Sequence, residues 1–98
     1  MTERLGVLAL LEAKEGKGSE LGAFLESRRA LAAAEPGTIT WYAFKISESE
    51  YGIFDTFETE EARQDHLHGE IPRALALVAQ GLLAVDPDIR MVDIIAVK

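Results

Sequence analysis

No cysteine occurs in the 98 residues, which excludes disulfides, thiolate nucleophiles, zinc ribbons and cysteine-ligated iron–sulfur clusters. Also lacking is any apolar run near the ~20 residues that a membrane-crossing helix needs. The apolar stretch after Met1-Thr2-Glu3-Arg4 is too short for a signal peptide and has no small-residue cleavage pattern. A cytoplasmic protein is the expectation. Basic residues are scarce: ten Lys and Arg stand against 17 Asp and Glu, a net charge of -7. Phosphate backbones and anionic lipid surfaces are repelled by that balance, so neither nucleic acid nor a membrane is an expected partner. No Gly-x-Gly-x-x-Gly, P-loop or Gly-x-Ser-x-Gly spacing is present, which removes support for phosphate-cradling and serine-nucleophile chemistry.

What is there fits one small domain, residues 1–98, with a hydrophobic fraction of 48% and a charged fraction of 28%, both close to globular averages. A chain of this size buries a limited share of its surface alone, so self-association would add stability. Leu5 to Leu11 is almost wholly apolar, the mark of a strand buried on both faces. After the turn glycines Gly16 and Gly18, and with Ser19 as N-cap, Leu21, Phe24, Leu25, Leu31 and Ala32 recur at helical spacing. Arg28 interrupts that stripe, and its stem can lie along a core edge. Pro36-Gly37 ends the helix.

Thr38 to Ile46 and Tyr51 to Phe57 are rich in β-branched and aromatic residues and flank a polar connection, so they predict a hairpin. Symmetry about Glu48 sets Trp41 opposite Asp55, Tyr42 opposite Phe54 and Ile39 opposite Phe57. Thr59 followed by Glu60-Glu61 predicts a helix start. A break at His68-Gly69 with Pro72 then leads into the stripe Ile71, Leu75, Val78, Leu82. Asp86-Pro87-Asp88 turns the chain into a fourth strand, Ile89 to Val97.

The order β-α-β-β-α-β is the split βαβ, ferredoxin-like α+β arrangement, with helices on one face of a four-stranded antiparallel sheet. Its other face should be polar, yet strand one carries Leu8 and Leu10 there if Val7, Ala9 and Leu11 face the helices, and strand four is apolar on both sides. An apolar patch of that size calls for a cover, and a second copy about a two-fold axis supplies one.

Five segments, in this order, carry a family resemblance: Glu15-Gly16-Lys17-Gly18, then Glu35-Pro36-Gly37-Thr38-Ile39-Thr40-Trp41-Tyr42, then Tyr51-Gly52-Ile53-Phe54-Asp55-Thr56-Phe57, then Thr59-Glu60-Glu61-Ala62, then His66-Leu67. Across nearly its whole length the chain resembles the antibiotic biosynthesis monooxygenase domains, small dimeric α+β barrels that include quinol monooxygenases. The resemblance implies a homodimer that uses no metal, flavin or haem. Such a protein binds an electron-rich phenolic, quinol or polyketide-like aromatic, removes its proton and lets the anion react with molecular oxygen. Two positions depart from the pattern. Many relatives read Glu-x-Trp where this chain has Asp55-Thr56-Phe57, and the haem-degrading relatives carry a histidine where it has Ala76.

His66 is the candidate base and Asp55 its orienting acid; the bland alternative for His66 is a helix-surface or capping histidine. His68 lies two residues on, without the i, i+4 spacing of a helical metal site. Asp55 and Asp93 are acids within apolar strands, where an unpaired charge is costly. Trp41, Tyr42, Tyr51, Phe54 and Phe57 are the candidate walls of an aromatic site, with core packing as the alternative for each. A non-catalytic dimeric barrel holding an apolar ligand stands as the second reading, and a regulatory ferredoxin-like module as the third.

Overall fold

A computed structural model describes residues 2–98. Four strands, β1 (Leu5–Glu12), β2 (Thr38–Lys45), β3 (Glu50–Phe57) and β4 (Asp88–Asp93), form one antiparallel sheet in the order β2-β3-β1-β4. The helices are α1 (Gly18–Ser27), α2 (Arg29–Ala34), α3 (Glu60–Leu67) and α4 (Glu70–Leu82). This is the ferredoxin-like α+β fold that the pattern of apolar residues predicts. None of the helices described is long and apolar enough to cross a membrane.

The core follows from strand alternation. Val7, Ala9 and Leu11 of β1 share a face with Tyr51, Ile53, Asp55 and Phe57 of β3, because the register pairs Leu5 with Phe57 and each step keeps that parity. On this face the apolar side chains are buried with Leu21 and Leu25 of α1 and Leu75 of α4. The opposite parity sets out Leu8, Leu10, Phe54, Tyr42 and Phe44 on the helix-free face. Gly52 belongs to that face for a steric reason: a Cβ there would stand 2.4 Å from Phe44 Cζ, so only glycine lets the ring cross the strand.

Four details differ from the sequence-based expectation. The first helical stretch is two helices: Ser27 Oγ donates to the Phe24 carbonyl at 2.6 Å and Arg28 N to the Leu25 carbonyl at 3.0 Å, a tightened turn that redirects the chain. Arg28 still follows the core edge, its guanidinium 5.0 Å above the Phe24 ring. Ser19 does not cap; α1 starts at Gly18, with Lys17 at the N-cap and no side-chain cap. A Cβ at Gly18 would fall 2.0 Å from the Glu48 carbonyl oxygen, so the β2–β3 hairpin can pack onto this helix end only over a glycine.

The third difference lies in the hairpin. Trp41 faces Asp55 and Tyr42 faces Phe54 as expected, but a bulge between Thr38 and Thr40 makes Thr38, not Ile39, the partner of Phe57. The fourth concerns β4, which ends at Asp93 rather than running to Val97. Its neighbour β1 begins at Leu5, opposite Asp93, and after the bond from Ile94 N to the Arg4 carbonyl the ladder has run out. The tail stays apolar all the same, and Ile95 is 93% exposed. The expected start at Thr59 holds: its hydroxyl accepts from Ala62 N at 3.1 Å, and Glu60 and Glu61 occupy the first turn of α3.

Candidate functional site

β3 carries Asp55 and Phe57 two residues apart, hence on the same, helix-covered face. α3 runs across that face with His66 in its last turn. Glu35 follows α2, at its C-cap, just ahead of the Pro36-Gly37 turn into β2. Three elements far apart in sequence thus bring two carboxylates to one imidazole. His66 Nε2 lies 2.8 Å from Asp55 Oδ2, and His66 Nδ1 lies 2.7 Å from Glu35 Oε1. That same Glu35 oxygen accepts from Thr38 Oγ1 at 2.6 Å, which fixes its orientation. Phe57, 0% exposed, closes the other side, its ring centroid 5.3 Å from that of His66.

This geometry favours the charged form of the ring. A neutral imidazole has one donor and one acceptor nitrogen, and the acceptor would face a carboxylate lone pair. A protonated imidazole, with both nitrogens donating, matches both contacts at once. Burial by itself lowers the pKa of His66, but the contacts and charge of Asp55, and after them those of Glu35, outweigh it and the pKa is raised above its ordinary value. The last turn of α3 adds to this, since the carbonyl end of a helix favours a cation. Asp55 itself is 1% exposed, and its Oδ1 is buried without a partner among the described residues. The two carboxylates flank the ring on different nitrogens instead of converging on a point, and no group of three ligating side chains among the described residues is placed to hold a metal ion.

His66 and Glu35 border a cavity of about 450 Å³ whose walls also include Thr38, Ala62 and Gly69. A second cavity, of about 690 Å³, lies between α1 and β2 and is lined by Trp41, Tyr42 and Tyr51 among others. The expected aromatic set is therefore divided. Phe57 stands with Asp55 and His66, Trp41 sits across the strand pair from Asp55, and Tyr51 lies farther along β3 beneath α1, its ring 3.2 Å from where a Cβ on Gly22 would be. Tyr42, 58% exposed, and Phe54 form a cross-strand pair on the helix-free face, away from His66. His68 is exposed and spends its Nδ1 on the Gln64 carbonyl of its own helix, at 2.8 Å. Asp93 is exposed at the end of β4.

No family model and no curated protein matches the chain. Solved structures do. NE2512 from Nitrosomonas europaea, described as a protein of unknown function, superposes with a TM-score of 0.97 at 42% identity, over 99% of this chain and 94% of that one. The chain belongs to the NE2512 family. More distant structures share the fold. PA3566 from Pseudomonas aeruginosa has a TM-score of 0.84 at 18% identity, covering 98% of each chain. A protein from Caulobacter crescentus CB15, described as a candidate antibiotic biosynthesis monooxygenase, has a TM-score of 0.81 at 20% identity, over 97% of this chain and 92% of that one.

In this member of the NE2512 family two polar residues of the site escape a reading of the sequence. Glu35 is one. The signal it leaves is an acid at a helix C-terminus, where the dipole disfavours it, so some other interaction must hold it there. Arg63 is the other. Buried one turn before His66, it donates through Nη1 to the Gly6 and Val92 carbonyls at 3.2 Å each and pairs through Nη2 with Glu60. It ties α3, and with it His66, to the β1–β4 strand pair. Because α3 is polar nearly all round, periodicity gives no sign of which of its charges is buried.

Proposed function

We propose that the protein is a cofactor-independent monooxygenase of the antibiotic biosynthesis type, acting on a phenolic, quinol or polyketide-like aromatic. The observation that carries this reading is the buried imidazole held between Asp55 and Glu35 at the wall of a cavity. The candidate monooxygenase among the structural neighbours supports it through the shared fold.

In this reading the proton acceptor is Glu35 working with His66, and not His66 alone. An imidazolium with both nitrogens engaged has no lone pair to offer. Glu35 is the member of the set that borders the cavity and is part-exposed, its second oxygen lying near Gly69. A phenolic O–H of the substrate transfers its proton to Glu35; the O–H electron pair stays on the substrate as a phenolate, beside the positive charge of His66. Asp55 keeps that charge in place. The anion then gives its electrons to molecular oxygen, and one oxygen atom bonds to a ring carbon in place of hydrogen. The O–O bond breaks, the other atom leaves as water with the two protons lost by the substrate, and a quinone results. The apolar part of the cavity wall limits competition from water.

The helix-free sheet face, with Leu8, Leu10, Tyr42, Phe44 and Phe54, favours a second copy as its cover. Sedimentation showing a monomer at all accessible concentrations would remove that part of the proposal.

Initial rates of oxygen consumption with a panel of hydroquinones test the activity. Wild type is expected to turn over at least one of them, and Glu35→Gln, folded by circular dichroism, to be slower by about 100-fold or more. A full panel without oxygen uptake, or a Glu35→Gln variant as fast as wild type, contradicts the proposal. Either result favours the second reading, a non-catalytic dimeric barrel that holds an apolar ligand. The saturated His66 nitrogens and the fully buried Phe57 in place of the relatives' tryptophan already give that reading an observation of its own.

A further inference from the structure

A third cavity, of about 230 Å³, lies between the two described above, along β2 and α2. It shares Arg29 and Trp41 with the 690 Å³ groove, and Thr38 with the 450 Å³ cavity that reaches Glu35 and His66. The first and third make a furrow between α1–α2 and the edge strand β2, with Arg29 and Trp41 in the walls of both, and its Thr38 end adjoins the cavity at Glu35 and His66. We infer that this furrow takes a planar aromatic carboxylate, with Arg29 selecting the negative charge and Trp41 the ring.

Arg29 is exposed at the start of α2 and makes no hydrogen bond or ion pair among the described residues. The neighbouring cations are engaged. Lys45, at the far end of the groove, pairs with Glu48 at 3.1 Å, Arg28 lies over the Phe24 ring, and Arg63 is held by Glu60. Glu26 also lines the groove, three residues before Arg29 on the chain, yet the two do not pair. In a chain with a net charge of -7, a guanidinium that lines the furrow without a partner among the described residues favours an anion there.

Trp41 adds a second, independent observation. Its Nε1–H is buried and has no acceptor among the described residues, an unfavourable state for a donor. A carboxylate brings acceptor oxygens in a plane, which suits the guanidinium fork; the indole N–H has no accessible surface of its own, so one lone pair reaches it only with a shift of the ring. Its ring would stack in the groove that Trp41 and Tyr51 line. A neutral phenol offers the same ring without the charge, and an aromatic ammonium meets Arg29 as a like charge.

For turnover at the site proposed above, the substrate class is then a phenolic aromatic carboxylate, its O–H meeting Glu35 and its carboxylate Arg29. The assignment rests on the monooxygenase reading for turnover, but not for binding. Trp41 is the chain's one tryptophan, so its indole N–H gives a single cross-peak in a ¹H–¹⁵N correlation spectrum. Titration with 2-naphthoate is expected to move that peak saturably, with a Kd about tenfold below that of 2-naphthol. Arg29→Gln is expected to raise the naphthoate Kd to the naphthol value and leave naphthol binding unchanged. Equal affinities in wild type, a naphthoate Kd indifferent to Arg29→Gln, or no saturable shift would each overturn the inference. Since binding is read and not oxidation, a protein inert toward hydroquinones but selective for naphthoate keeps this inference and loses the monooxygenase. The reverse outcome sinks the inference alone.

Discussion

Replacing Asp55 with alanine is expected to destabilise the fold by about 3–5 kcal/mol, the range for removing one partner of a buried ion pair. The carboxylate is 1% exposed and stands 2.8 Å from His66 Nε2. Without it, a buried nitrogen loses its partner and the site loses the larger of the two carboxylate influences that keep the ring charged. The penalty should depend on pH in a definite direction. Since the folded-state pKa of His66 is raised, its contribution to stability is fully present below the unfolded value of about 6.5 and is lost as pH rises through the higher folded-state value. Urea unfolding of wild type and Asp55→Ala should therefore show a gap that is widest near pH 6 and narrows on the alkaline side. A gap under about 1 kcal/mol at pH 6, typical of an exposed pair, would mean that Asp55 is not a buried partner of His66.

Phe57→Ala is the second large expected effect, also about 3–5 kcal/mol, because a buried phenylalanine leaves both a lost transfer term and a cavity. Phe57 is 0% exposed and pairs in register with Leu5 on one side and Thr38 on the other, so no neighbouring strand can move in without breaking the ladder. Its ring also lies against His66, and the cavity left behind would admit water to the imidazole. Thermal unfolding gives the stability loss. A variant within about 1 kcal/mol of wild type would show that the surrounding structure collapses onto the site, contrary to the packing described.

Much of the fold is legible in the sequence because strand alternation and helix punctuation are local signals. Val7, Ala9 and Leu11 announce a buried strand face, Thr59 with Glu60 and Glu61 announces a helix start, and both stand in the structure. Less legible were features decided by a neighbour. The end of β4 at Asp93 is set by where β1 begins, not by the β-branched residues that continue past it. The bulge at Ile39 changes one hairpin pair while leaving Trp41 and Asp55 opposed as symmetry predicts. The break at Arg28 comes from a serine hydroxyl bonding back to its own helix, which helical spacing does not reveal.

The candidate site divides in the same way. Asp55 attracts notice as an acid in an apolar strand, and His66 through the resemblance to the monooxygenase domains. Glu35 does not, because its link to His66 spans 31 positions between a helix end and another helix. With Glu35 in place, the chemistry changes. A histidine oriented by one acid suits a base, whereas a second acid on its other nitrogen favours the charged ring, and it is on this ground that we propose Glu35 as the proton acceptor.

That distinction is open to direct observation. The chain has two histidines, and a ¹⁵N-detected pH titration of their ring nitrogens separates the buried His66 from the exposed His68. The account predicts that at pH 7 both His66 nitrogens carry protons, with a midpoint above the ordinary value of about 6.5, and that Asp55→Asn lowers this midpoint. A neutral His66 tautomer at pH 7, with a midpoint below 6.5, would contradict it.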